Sequence, residues 1–192
     1  MKIHNGHGAG SGSGAHAGST APIPSKFLLE NRIQERVREL GEQISAYYHG
    51  IDTPLIILVV LDGAMVFAAD LMRRISIPFE VATIKCKSYK DGASTGDLKI
   101  TQAMGLEKLL RQRQILIVED IIDSGLTIRS LIPHLPASSS IRVVTLLERE
   151  GLDLAMSSAD WIGFEIAPGF VFGYGLDDAD GTERGLKDIW VR

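Results

Sequence analysis

The chain has 192 residues, a formal net charge of −4 and one cysteine, Cys86. The acidic balance argues against a general nucleic-acid binder, which carries a basic face, and a lone cysteine excludes an internal disulfide framework and suits a reducing cytoplasm. Since no apolar run approaches the roughly 18 to 20 residues that cross a bilayer, a soluble cytoplasmic protein with no membrane partner is expected.

From His4 to Ser19 nearly every residue is Gly, Ser, Ala or His. Such a segment buries too little apolar area to offset its ordering entropy, so residues 1–24 are expected to be a disordered tail. No apolar core of the kind found in a secretory signal follows Lys2. His4, His7 and His16 are irregularly spaced and read as part of the tail rather than as metal ligands. Residues 25–192 remain for one domain with its own core.

Between Glu30 and Tyr48, Ile33, Val37, Leu40, Ile44 and Tyr47 recur at spacings of four and three, the stripe of an amphipathic helix, with Gly50 as its stop. Leu55 to Leu61 is seven apolar residues in a row, a strand expected to be covered on both faces. It ends at Asp62 and Gly63. Ala64 to Ile75 reads as a helix packing Met65, Ala68, Leu71 and Met72 inward. A strand near Phe79 to Lys87 gives way to a polar run, Ser88 to Thr101, of the length at which loops are functional lids or disordered. Ile115 to Val118 and Ile141 to Leu147 supply further strands. The helix Gly125 to Leu135 between them is shortened or distorted by Pro133. This alternation predicts an α/β fold, a mostly parallel sheet flanked by helices. The C-terminal segment Trp161 to Arg192, with WIGFEI and FVFGYGL, is expected to form a small hood, one of Phe170 and Phe172 facing the core and the other a cleft.

Val118 to Leu131, VEDIIDSGLTIRSL, is the most informative stretch. A strand meets Glu119 and Asp120, whose carboxylates can accept hydrogen bonds from vicinal hydroxyls. Asp123 follows alone. Ser124, Gly125 and Thr127 then offer hydroxyls and free backbone N–H groups where a helix begins, a setting that favours a phosphate. Acids beside a phosphate make sense when sugar hydroxyls or a metal intervene, so a phosphorylated sugar is the expected ligand. Leu126 stands where a P-loop would carry lysine, and no dinucleotide-binding glycine fingerprint is present. Ligands on such sheets bind beyond the C-terminal strand ends, where Asp62 and Gly63, Ser88 and Tyr89, Glu119 to Thr127, and Glu148 to Gly151 converge.

Together with ENRIQERVREL, VVLDGAMVFAADLMRRI, KSYKDGASTGDLKI and GFEIAPGFVFGYGLD, this run resembles the hypoxanthine-guanine phosphoribosyltransferases, of the type I phosphoribosyltransferase fold. The resemblance implies transfer of ribose 5-phosphate from phosphoribosyl pyrophosphate to a 6-oxopurine (hypoxanthine, guanine or xanthine) in purine salvage, with Mg2+ as cofactor and a homodimer or homotetramer as the assembly. By resemblance, Glu119 and Asp120 hold the ribose hydroxyls, and Asp123, Ser124, Gly125, Leu126 and Thr127 surround the 5-phosphate. Asp123 is also the general base or proton relay. Asp62, Gly63 and Arg184 belong to the pyrophosphate side, with Ser88 and Tyr89 in the closing loop. Phe170 stacks on the purine, the Val171 backbone reads its edge, and Asp177 lies at the purine end as a magnesium-associated acid, with Glu119 and Asp120 as the other metal-linked carboxylates.

The chain departs from that pattern at several positions. Arg149 stands where the family places a lysine that recognises the 6-oxo group, and the two cations are not interchangeable. Asp153 replaces an arginine, Asp62 replaces a lysine or other non-acidic residue, and Asp178 and Asp180 add acid after Asp177. These substitutions motivate an alternative, a divergent regulatory paralogue that binds a nucleotide or phosphoribosyl pyrophosphate without turnover.

Overall fold

The computed structural model describes residues 24–88, 98–102, 105–137, 139–151, 159–178 and 180–192. Apart from Pro24 the expected tail lies outside them, as do Tyr89 and Asp153. In chain order the elements are β1 (Ser25–Leu28), α1 (Glu30–Tyr47), β2 (Leu55–Leu61), α2 (Met65–Met72), β3 (Phe79–Ser88), β4 (Leu98–Gln102) and α3 (Leu106–Leu110). They continue with β5 (Gln114–Ile122), α4 (Leu126–Leu131) and its 3-10 extension Ile132–His134, then β6 (Ser140–Arg149), β7 (Trp161–Ile166), β8 (Val171–Phe172) and β9 (Ile189–Val191).

Six strands form the main sheet in the order β4-β3-β2-β5-β6-β7, parallel except for β4, which runs antiparallel to β3. This is the expected α/β architecture. The apolar run of β2 divides by parity, because successive side chains leave a strand on opposite faces. Leu55, Ile57 and Val59 join the core beneath α1 and α2 with Leu116 and Val118. Ile56, Leu58 and Val60 join a second core with Ile115, Ile117, Leu110 of α3 and Ile128 of α4. Both faces are therefore covered, as a continuous apolar strand requires. Among the described residues no helix is long and apolar enough to cross a membrane.

The C-terminal hood differs from the sequence reading. WIGFEI is not part of it: β7 joins the main sheet, pairing in parallel with β6 from Val144↔Trp161 to Arg149↔Ile166. Gly163 permits this, since a Cβ there would lie 2.4 Å from the Leu146 carbonyl oxygen. Arg36 of α1 then donates to the Gly163 and Ile162 carbonyls at 3.0 and 2.8 Å, pinning the edge strand. The hood is instead a three-stranded antiparallel sheet, β1-β9-β8, which recruits the N-terminal SKFL segment. The polar run after Ser88 also contributes a strand, β4, because pairing with β3 supplies backbone partners without an apolar pattern. Met65 was expected inside but is exposed; α2 buries Phe67, Ala68 and Leu71.

The hood is held to α2 through a partly buried hydrogen-bond cluster. Tyr174, backbone in the left-handed region at φ +52°, donates its phenol to Asp70 at 2.7 Å, and Gln34 of α1 donates to the same oxygen at 2.6 Å. Burial and Asp70 push the phenol well up, keeping it a neutral donor.

α1 also approaches the chain beyond α2 at Gly41. A Cβ there would stand 2.4 Å from Arg74 Cβ and 2.8 Å from its carbonyl oxygen. Nearby, Ser45 Oγ accepts from the Ser76 N–H at 3.0 Å, fixing the two segments together. Alanine ordinarily favours a helix interior over glycine by about 1 kcal/mol, whereas overpacking costs about 1–3 kcal/mol. Gly41→Ala is therefore expected to lower unfolding free energy in urea by roughly 1–2 kcal/mol; a gain in stability would contradict this packing.

Candidate active site

The site opens where the strand order reverses. β2 and β5 pair only as far as Val59↔Val118. Beyond that point β2 stays with β3 to Leu61↔Lys85, and β5 stays with β6 to Ile122↔Glu148. The two halves part, leaving a crevice at the C-terminal strand ends, the place where open α/β sheets bind ligands.

A cavity of about 290 Å³ fills this crevice. Gly63, Glu119, Asp120, every residue from Asp123 to Thr127, Asp177 and Arg184 line it, so these expected site residues are brought together. The strand β5 runs four residues further than expected, carrying Glu119 and Asp120 as strand residues. Gly125 then takes φ +70°, turning the chain into α4. A Cβ on Gly63 would lie 1.7 Å from Asp120 Oδ2, and one on Gly175 would lie 2.3 Å from the Gly63 carbonyl oxygen. These glycines let the β5 acid, the β2 turn and the hood stack in direct contact.

A second cavity of about 480 Å³ lies on the other side of Asp123, lined by Asp123, Arg149, Pro168, Gly169 and Phe170. Arg149 holds its walls together. Its guanidinium donates through Nε to Asp123 Oδ1 at 2.6 Å, and through its two Nη atoms to the Ala167 and Gly169 carbonyls at 2.8 and 2.5 Å. Phe170 is 44% exposed and faces outward, while Phe172 and Val171 are buried, so the expected division between the two aromatics holds.

Other expected residues are placed differently. The Asp62 carboxylate turns to β3 and pairs with Lys85. Asp177 lines the crevice rather than the Arg149–Phe170 cavity, and Arg184 bonds both to it at 2.7 Å and to the Gly175 carbonyl at 2.6 Å. Asp178 is buried and paired with Arg192 at 2.9 Å. No three acidic, histidine or cysteine side chains converge on one point among the described residues, so Glu119, Asp120 and Asp177 do not form a single ligand cluster. Lys85, Gly175 and Cys86 were not foreseen as site residues. Cys86 lines the crevice with its thiol pushed up to about 11, by burial first and Glu119 second, which leaves it unreactive near neutrality.

The Phosphoribosyl transferase domain model matches residues 28–179. A hypoxanthine-guanine phosphoribosyltransferase of Bacillus subtilis is 38% identical over 172 residues, covering 88% of this chain and 93% of that protein. A hypoxanthine phosphoribosyltransferase of Haemophilus influenzae is 37% identical over 158 residues, with 80% and 87% covered. Among solved structures, a hypoxanthine phosphoribosyltransferase of Staphylococcus aureus superposes with a TM-score of 0.78 at 32% identity, over 87% of this chain and 90% of that one. The Trypanosoma cruzi hypoxanthine phosphoribosyltransferase in complex with the product IMP gives 0.75 at 32% identity, over 86% and 92%.

The chain belongs to the hypoxanthine-guanine branch of the type I phosphoribosyltransferases. At the level of the family, it is a purine-salvage phosphoribosyltransferase.

In this phosphoribosyltransferase Glu119 sits in an unfavourable electrostatic setting. It is buried; Oε1 accepts the Asp120 N–H at 3.1 Å, and Oε2 finds no partner among the described residues. Burial, then the adjacent Asp120 charge, raise its carboxyl well above the ordinary 4.5. An orphaned buried carboxylate oxygen beside a second carboxylate fits a hydroxyl donor or a cation presented by a ligand.

The folded protein holds this proton more tightly than the unfolded chain does. Glu119 therefore contributes stability fully below 4.5, and that contribution is lost as pH rises through the higher folded value. Glu119→Gln, permanently neutral, is expected to melt above wild type near pH 8, with the gap closing toward about pH 4. Thermal melts across this range test it, and a pH-independent gap would contradict the assignment.

Proposed function

We propose that the protein transfers the 5-phosphoribosyl group of phosphoribosyl pyrophosphate to a 6-oxopurine (hypoxanthine, guanine or xanthine), releasing pyrophosphate. The observation that carries this reading is that Asp123 is a wall of both cavities. One cavity is acidic and loop-lined, suited to ribose and phosphate; the other is lined by Arg149 and an outward-facing aromatic, suited to a planar base. A group transferred between the two ligands would pass beside Asp123.

On this reading Glu119 and Asp120 accept hydrogen bonds from the ribose hydroxyls, which relieves the orphaned Glu119 oxygen. The backbone N–H groups and hydroxyls of Ser124 to Thr127 surround the 5-phosphate. The bond from the anomeric carbon to the pyrophosphate oxygen breaks, and a bond to a purine ring nitrogen forms. Asp123 accepts the proton that this nitrogen loses, directly or by relay. Arg184, drawn from Asp177, answers the charge of the departing pyrophosphate. Mg2+ entering with phosphoribosyl pyrophosphate would be held by one or two carboxylates plus substrate oxygens, the usual habit of that ion, and would neutralise the leaving group. Phe170 stacks on the purine, and Arg149 presents N–H donors to an acceptor such as a 6-oxo oxygen. A partner subunit in a dimer or tetramer is part of the same proposal.

Two departures that motivate a regulatory paralogue have local answers: Asp62 is paired with Lys85, and Arg149 is built into the base-side cavity.

A phosphoribosyl pyrophosphate assay with hypoxanthine, guanine, xanthine and adenine tests the reaction. Nucleotide is expected from 6-oxopurines. Adenine, which carries an amino donor in place of the 6-oxo acceptor for Arg149, is expected to react at least about 10⁴-fold less efficiently, the scale of hydrogen-bonded readout. No product from any base, with tight nucleotide binding by calorimetry, would instead support the regulatory reading. Asp123→Asn is expected to fold normally, since the side chain is 70% exposed, yet to lose about 10²- to 10⁴-fold in turnover. Retained turnover would remove Asp123 as the proton acceptor.

A further inference from the structure

The turn after β2 places an acid beside a crevice read here as the site of a polyanion. Leu61 and Gly63, the residues on either side of Asp62, both line that crevice. Left to itself, a carboxylate between them would repel phosphate. Lys85 answers it: Nζ lies 2.5 Å from Asp62 Oδ2. Lys85 stands opposite Leu61, the last residue of β2, in the parallel register of β2 and β3, so its ammonium lies beside the turn that begins at Asp62. The pairing thus comes from the sheet itself, while Asp62 lies just past the end of β2, in the turn that carries Gly63.

The pair is too exposed to matter much for folding, with side-chain exposures of 37% for Lys85 and 48% for Asp62. Ion pairs of this kind add little stability. The acids already facing the crevice, Glu119, Asp120 and Asp177, make a further unanswered charge costly for a phosphate ligand, whereas Arg184 is shared with Asp177.

We propose that Lys85 is a positioning residue for the turn that receives pyrophosphate. It holds the Asp62 carboxylate on the β3 side, so that the Leu61–Gly63 backbone meets the phosphates of phosphoribosyl pyrophosphate without an opposing charge. Lys85 acts through Asp62 and does not touch the substrate. This inference rests on the reading of the crevice as the phosphoribosyl pyrophosphate site.

The test is a rescue experiment on the full chain. Lys85→Met is expected to raise KM for phosphoribosyl pyrophosphate about tenfold at low salt, the scale of one uncompensated charge near a phosphate. Both kcat and KM for the purine should stay within about twofold, and the defect should shrink as salt screens the charge. Adding Asp62→Asn to Lys85→Met should restore KM, because the offending carboxylate is then gone, and Lys85→Arg should retain it. The proposal is overturned if Lys85→Met leaves KM for phosphoribosyl pyrophosphate unchanged. It is equally overturned if the double variant stays as impaired as Lys85→Met, which would make Lys85 a direct substrate contact.

Should wild type turn over no purine, the same comparison is read as Kd for magnesium phosphoribosyl pyrophosphate by calorimetry. Wild type that neither reacts with nor binds this compound removes the crevice assignment and the Lys85 role together. Normal wild-type activity with no Lys85 effect removes the Lys85 role alone.

Discussion

The site depends on the contact between the β2 turn and the β5 acid. At position 63 a side chain would put Cβ within 1.7 Å of Asp120 Oδ2, and at position 175 within 2.3 Å of the Gly63 carbonyl. Three chain segments far apart in sequence are thus stacked with no atom to spare: β5 beneath, the β2 turn in the middle and the hood above. Gly175 also requires its glycine conformationally, at φ +102°. This close approach brings Arg184 and Asp177 of the hood to the mouth of a crevice whose floor is β5. The partly buried bond from Tyr174 to Asp70 holds the stack from the other side, since it ties the residue between Gly173 and Gly175 to α2. Rigid sheet, close-packed turn and tethered hood therefore form one support for groups on loops that would otherwise wander.

An acidic protein that binds a polyanion must dispose of its own charge, and here it does so in two ways. Around the site, carboxylates are matched singly by cations: Asp62 by Lys85, Asp123 by Arg149, Asp177 by Arg184 and Asp178 by Arg192. Except for Asp177 and Arg184, which both lie between β8 and β9, the partners come from different strands or loops, so those pairs also bind the walls to one another. Glu119 is handled differently. Burial favours its protonated form, and ionising it costs the protein unless a ligand supplies a partner. A carboxylate destabilised in this way is a reservoir that binding can relieve, and its location on the strand floor, rather than on a loop, keeps its position fixed.

Much of this architecture was legible in the sequence because it is local. The seven-residue apolar run could only be a strand buried on both faces, and the parity split between the two cores follows from the pleat. The VEDIIDSGLTIRSL run displayed its acids, glycine and hydroxyls within ten residues, close enough for their convergence to be anticipated. The errors arose where tertiary pairing overrode local pattern. WIGFEI looks the same whether it sits in a hood or at a sheet edge; Gly163 against the Leu146 carbonyl decides the matter, and that contact is made between two strands rather than within one. SKFL has no signal of its own and becomes a strand only because β9 offers it an edge. Met65 falls on the apolar side of the helical count, yet α2 begins there and turns it outward. The ion pairs were invisible for the same reason: Lys85 is 23 residues from Asp62 and Arg149 is 26 from Asp123.

Arg149 illustrates why a substitution that looks like a departure can strengthen a site. A lysine at this position would bring a single ammonium on a flexible stem. The guanidinium instead commits three of its five N–H donors to Asp123, Ala167 and Gly169, drawn from the β5–α4 turn and the β7–β8 loop. Its side chain is 14% exposed, against 70% for Asp123. The cation is therefore the fixed member of the pair, and the carboxylate is oriented by it. Orienting costs that a mobile lysine would incur on binding are met in the fold itself, the general advantage of preorganisation. The two N–H groups left over lie on a plane fixed by those three bonds, beside Phe170. On the proposed reading, a planar base in that cavity would meet donors whose direction is set in advance by the same guanidinium that orients Asp123.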